Sequence, residues 1–138
     1  MIRSNGIDLS AGRTGTDFGQ GFYMTTSRNE ALLSGGQAAG GRSLEVVEFR
    51  VPNAELGKLD SIHFGSAGPE WGDFVAFNRK LDVPYLPPSE WMPNPDMVTG
   101  PLFRRMGSSG PVAWPNRVPQ TSIHSPNAVT IFDRYMVR

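Results

Sequence analysis

The sequence predicts an α+β domain built on a mainly antiparallel sheet. Short strand-like runs and short helical repeats interleave along the chain, and no strand–helix–strand rhythm of the kind that builds parallel sheets orders them. Punctuation is uneven: glycine is concentrated before position 42 and proline between Pro84 and Pro119, which confines regular structure to brief stretches. At 138 residues the chain fits one domain over 1–138, large enough to bury its own core. A hydrophobic share of 38% with 19% charged residues is that of a folded domain rather than a disordered one.

Taken in order, the elements have local reasons. "TDFGQGFYMTTS" (16–27) places Gly19 and Gly21 directly against Phe22 and Tyr23, with Thr25, Thr26 and Ser27 next. Glycine weakens a strand interior, so this stretch answers to more than packing. "RNEALLSGGQAAGG" (28–41) predicts a short helix capped by Ser27, with Glu30 at capping-box spacing and a break at Gly35 and Gly36. "SLEVVEFRV" (43–51) reads as a strand whose alternation slips at Val46 and Val47.

"PEWGDFVAFNRKL" (69–81) opens on Pro69 and repeats Trp71, Phe74, Val75 and Leu81 at helical spacing, despite Gly72. "VPYLPPSEWMPNPD" (83–96) is too proline-dense for regular structure and reads as a long loop or lid. "MVTGPLF" (97–103) and "QTSIH" (120–124) read as strands. "SPNAVTIF" (125–132) reads as a helix with Ser125 at the N-cap and Pro126 at N1, and "RYMV" (134–137) as a closing strand.

Composition excludes several chemistries. Without cysteine there is no disulfide framework and no thiolate zinc site, and the redox compartment stays open. No apolar run reaches membrane-span length, and the N-terminus lacks a signal-peptide core. His63 and His124 have no i,i+4 partner, so no metal is expected. A triad of Ser122, Ser125 and His124 is not implied, because adjacency in sequence does not position a base. Gly19-x-Gly21 lacks the third glycine of a dinucleotide fingerprint, there is no Walker lysine, and "DFG" here has no kinase context. The net charge is zero, yet the segment from Val98 onward carries five arginines against Asp133 alone. That asymmetry suits either a solvated surface or a basic face for phosphates. A sequence pI near 6.7 argues against general nucleic-acid affinity.

The residues of 16–27 nonetheless suit a ligand. Glycine lets a ligand approach the backbone, a tyrosine ring offers a stacking face, and hydroxyls at a helix entry bind amides or phosphates. Together they fit the base end of a nicotinamide nucleotide, against the alternative of a tight turn beside a core Tyr and Phe.

"NGIDLSAGRTGTDFGQGFYMTTSRNEAL" resembles the second motif of ADP-ribosyltransferase-type toxin domains of bacterial polymorphic toxins, whose hallmark reads DFG-x-GFY-x-T. "EWGDFVAFNR", "DMVTGPL" and "QTSIHSPNAVTIF" follow in the same order, so the resemblance spans Asn5 to about Phe132. It implies a split, mostly antiparallel β-sandwich with short helices, NAD as substrate, and transfer of ADP-ribose to a protein or RNA. It also implies an effector delivered into a target-cell cytoplasm, an immunity protein as partner, and no membrane.

Carried onto this chain, Tyr23 is the nicotinamide-stacking aromatic. Gly19 and Gly21 admit the ligand, and Thr25 fixes the strand beside the site. Gln120 stands where many relatives have a glutamate that contacts the nicotinamide ribose. Glutamine can hold a hydroxyl but cannot take a proton. The first motif of such domains, a His-Gly-Thr or arginine strand, has no match. The chain is then expected to be part of a longer toxin, or a derivative without that clamp acting as a protein- or nucleotide-binding module. Arg3 and Arg13 are the nearby cations for a pyrophosphate.

Overall fold

The computed structural model describes residues 6–11, 16–32, 46–79 and 95–137. Among them a mixed four-stranded sheet forms the centre. Its strands are β1 (Phe22–Thr25), β2 (Ser61–His63), β3 (Met97–Gly100) and β6 (Gln120–Ile123), in the order β1-β6-β3-β2. Strand β6 pairs antiparallel with both β1 and β3, whereas β2 joins β3 in parallel. A separate antiparallel hairpin consists of β4 (Phe103–Gly107) and β5 (Gly110–Ala113). The helices are short: α1 (Asn53–Leu56), α2 (Pro69–Asn78) and α3 (Pro126–Arg134), with a 3-10 turn at Leu9–Ala11 and a helical segment at 28–32. The α+β expectation holds, with one parallel pair inside a mainly antiparallel arrangement.

Register sorts the side chains onto two faces. Opposite residues share a face, so Tyr23 and Thr25 lie with Ser122 and Gln120, and these with Val98 and Gly100. That face belongs to a core of Phe18, Phe64, Trp71, Phe74, Val75 and Val98, with Tyr23, Ile62 and Phe103 packed against it. The opposite face contributes Phe22, Met24, Met97 and Ile123 to a second core with Ile7, Leu59, Ala128 and Phe132. The sheet is thus apolar on both sides, which is why alternation along its short strands is weak.

Helix α2 supplies the first core. Its apolar spacing puts Trp71, Phe74 and Val75 inside, and Trp71 Nε1 donates to the Pro101 carbonyl at 2.9 Å. Helix α3 covers the second. Ser125 caps it, its Oγ accepting from the Ala128 amide at 3.1 Å, and Pro126 opens its first turn as expected. Asp133 on this helix accepts from the Ile7 amide at 3.0 Å and ties residues 6–11 to α3. Ser27 also caps as expected, accepting from the Glu30 amide at 3.3 Å.

Several sequence expectations are corrected. The strand foreseen at 43–51 is, over its described part, a single bridge between Phe49 and Met136, flanked by Arg50 N to Tyr135 O and Val137 N to Glu48 O. "RYMV" therefore closes onto that bridge and not onto the sheet. "MVTGPLF" is divided: β3 stops at Gly100 because Pro101 has no N–H to continue the ladder, and Phe103 starts a new strand. The β4–β5 hairpin, with a two-residue turn and Gly110 at φ +121°, has no counterpart in the sequence reading. The proposed lid over 83–96 falls, apart from Pro95 and Asp96, outside the described residues.

Candidate functional site

The turn that precedes β1 explains the glycines. Gly19 has φ +91°, a left-handed conformation that favours glycine. A Cβ on Gly21 would stand 2.5 Å from the Ile123 carbonyl oxygen and 2.6 Å from His124 Nδ1. The space over Gly21 is therefore filled by the imidazole of His124.

Tyr23 projects from β1 back into this turn. Its hydroxyl accepts from the Phe18 amide at 2.9 Å and lies 2.6 Å from the Gly19 carbonyl and 3.0 Å from Thr16 Oγ1. Its ring stacks on Phe18 with centroids 6.2 Å apart and meets His124 edge-on at 6.3 Å. Burial pushes its phenol pKa up to about 12, overriding the hydrogen bonds that favour the phenolate.

His124 has one tautomer consistent with its neighbours. The Gln20 carbonyl, 2.9 Å from Nδ1, can only accept, so Nδ1 carries the proton and Nε2 accepts from Ser122 Oγ at 2.7 Å. Burial is the larger influence and holds the imidazole pKa below its ordinary value, against the opposing bond to Gln20. This is the hydrogen-bonded serine–histidine pair that adjacency alone did not imply. Ser122 is fully buried, however, so the pair locks β6 to the turn and does not present a nucleophile.

A second polar convergence lies at Asp17, 6% exposed. Arg79 Nε donates to Oδ1 at 2.6 Å, the Phe103 amide to Oδ2 at 2.9 Å, and Gln120 Nε2 to Oδ2 at 2.5 Å. One carboxylate thus gathers the glycine turn, the C-terminal end of α2, the start of β4 and the start of β6. The carboxylate only accepts from these donors, so it is the Gln120 nitrogen that faces Asp17, and Oε1 has no partner among the described residues. The Arg79 guanidinium also lies 4.4 Å from the centroid of the Phe103 ring.

Of the residues expected at a site, Tyr23 and Gly19 come together beside Phe18, while Gly21 packs on Ile123 and His124. Gln120 joins that turn through Asp17. Thr25 pairs with Gln120 across β1 and β6, and its Oγ1 accepts from the Ser27 amide at 3.3 Å. Arg13 and Arg3 fall outside the described residues, while His63 is exposed on β2. Glu30 leaves the capping box and pairs with Arg117 Nε at 2.5 Å. An open groove of about 560 Å3, lined in part by Pro101, Trp114, Arg117 and Pro119, lies on the segment leading into Gln120.

The sequence reading missed Asp17 and Arg79 as site residues. The available signal was an acid inside a glycine-rich turn and an arginine at the end of a helix with a buried aromatic face. No cluster of three potential metal ligands occurs among the described residues, and none of their helices is long and apolar enough to cross a membrane.

A family model described as "Protein of unknown function (DUF3990)" matches residues 3–103. The chain belongs to this family. The matched span holds Asp17, Tyr23 and Arg79, while Gln120 lies beyond it. No curated protein and no solved structure matches the chain.

Proposed function

We propose that this chain is an ADP-ribosyltransferase-type domain that cleaves NAD and transfers ADP-ribose to a protein or RNA of a target cell. One observation carries the reading: three of the four stretches on which the resemblance rests meet at one carboxylate, and the fourth lies alongside them. Asp17 of "DFG", Arg79 of "EWGDFVAFNR" and Gln120 of "QTS" bond directly. Gly100 of "DMVTGPL" pairs with Gln120 in register and packs so closely on Phe18 that a Cβ would lie 3.3 Å from its ring. The split arrangement of a four-stranded sheet and a separate hairpin suits the fold such domains have.

In this reading Gln120 accepts from a ribose hydroxyl through Oε1 as nicotinamide departs. Having no charge, it stabilises the developing oxocarbenium less than a carboxylate would, and the acceptor must lose its proton to another group. Delivery into a competitor and neutralisation by an immunity protein belong to the same proposal.

A second reading, a non-catalytic binding module, is favoured by the packing around Tyr23. Its hydroxyl is saturated and the space over Gly21 is taken by His124. Labelled NAD offered with a bacterial lysate separates the two. The transferase reading expects label in protein or RNA, release of nicotinamide, and loss of both in Gln120→Ala, at least in a chain extended upstream by a His-Gly-Thr strand. The absence of both signals from folded short and extended chains would support the binding module.

A further inference from the structure

Asp17 holds Arg79 by Nε alone. Among the described residues no group accepts from its terminal Nη1 and Nη2, and the side chain is 33% exposed while Asp17 beneath it is buried. The guanidinium carbon lies over the Phe103 ring, so an arginine that would otherwise sweep through solvent is fixed by one hydrogen bond and one cation–π contact. Gln120 hangs from the other oxygen of the same carboxylate, with Oε1 unpartnered among the described residues. A cationic fork of N–H donors is thus presented beside a neutral acceptor, both pre-oriented. That complementarity selects a ligand with a phosphate next to a hydroxyl-bearing sugar.

We propose that Arg79 is the phosphate-binding residue of this chain, its terminal nitrogens gripping a phosphoryl oxygen of a nucleoside diphosphate whose ribose reaches Gln120, with Asp17 as the positioning residue for both. This rests on the nucleotide reading above and assigns the anion site to a residue inside the described fold. Arg3 and Arg13 are not needed for it. A lone surface arginine gains little from a phosphate because it must be immobilised on binding; here the immobilisation precedes the ligand.

The test uses the 138-residue chain and two probes, ADP-ribose and adenosine. In the wild type, ADP-ribose at millimolar concentration should shift the Arg79 side-chain Nε resonance, and adenosine should bind at least about tenfold more weakly, the scale of a charge-assisted hydrogen bond. Arg79→Gln should weaken ADP-ribose by a similar factor and leave adenosine unchanged, with Arg79→Lys falling between. Raising salt should weaken ADP-ribose alone. An unmoved Arg79 resonance overturns the proposal, and so does equal ADP-ribose affinity in wild type and folded Arg79→Gln. The resonance experiment needs no variant, so a misfolded mutant does not blunt it. Nicotinamide release is scored separately: binding through Arg79 without release from NAD leaves this site standing and removes the transferase reading, whereas release that survives Arg79→Gln unchanged removes this site and keeps the transferase.

Discussion

The Gln120 side chain donates to Asp17 at 2.5 Å across 103 residues of sequence, and this contact explains why an amide stands at position 120. A glutamate there would face a second carboxylate at hydrogen-bonding distance in a half-buried site. Like charges at that separation cannot both ionise without cost. Gln120→Glu is therefore expected to destabilise the fold by on the order of 2 kcal/mol near neutral pH. Stability should recover as acid protonates one carboxyl and restores a donor. Urea unfolding at pH 7.5 and pH 4.5 checks it, and a variant as stable as wild type at pH 7.5 would contradict this account.

Removing the hub should cost more than removing a spoke. Asp17→Ala leaves the Phe103 amide, the Gln120 amide and the Arg79 guanidinium facing a site without an acceptor. A loss on the order of 3 kcal/mol follows from stranding a charged partner and a buried donor. Thermal melts of Asp17→Ala and Arg79→Gln compare the two, with the smaller shift expected for Arg79→Gln, where the half-exposed partner is the one removed.

Gly21→Ala should be among the most damaging small changes in the chain. The added methyl would meet the Ile123 backbone oxygen at 2.5 Å, and backbone cannot rotate away. Overpacking of this kind costs about 3 kcal/mol or more. Gly65, with nothing within 4 Å of its would-be Cβ, is the matched control and should tolerate alanine. Chemical denaturation of the pair measures the difference.

Tyr23 and His124 carry opposite pH signatures. The Tyr23 phenol ionises near 12 in the fold against 10.0 when free. Between those values the unfolded chain has already lost its proton, so stability falls as pH rises from about 10 to about 12. Ultraviolet titration should show one late tyrosine step that Tyr23→Phe abolishes. That variant should also lose about 1–2 kcal/mol, because the Phe18 amide is left without its acceptor.

Burial holds the His124 imidazole below its ordinary value of 6.5 in the fold. The unfolded chain therefore takes up the proton first as pH drops below 6.5, and stability declines in that window. Protonation would also turn Nε2 from acceptor to donor against Ser122. Denaturation midpoints for wild type should fall between pH 7.5 and pH 5.5, and His124→Gln should flatten that part of the dependence.

Much of the fold was legible because it is written locally. Pro69 and the spacing of Trp71, Phe74 and Val75 announce α2, and Ser125-Pro126 announces α3, since caps and apolar periodicity act within one or two turns. The β4–β5 hairpin was not legible: "FRRMGSSGPVA" lacks apolar alternation because Arg104, Arg105 and Met106 are exposed. At the site, Tyr23 and Gln120 could be named from motif, but Asp17 and Arg79 could not. Their meaning lies in a pairing across 62 residues, and no local pattern marks an acid as the acceptor for three distant donors. The glycines were legible as close-approach positions, though not that the approaching group at Gly21 is His124.

The pairing of β1 with β6 also sets an order of events during synthesis. Strand β1 ends at Thr25 and its neighbour begins at Gln120, so β1 waits for all the intervening residues to be made. Until residues 120–133 leave the ribosome, Asp17 has no Gln120, Tyr23 has no strand to lie against, and Ile7 has no Asp133 to hold it. Pairings of such long sequence separation form late because loop closure must precede any gain from them. The molecule therefore completes its polar hub late, and a chain stopped before position 120 lacks the Gln120 arm of that hub.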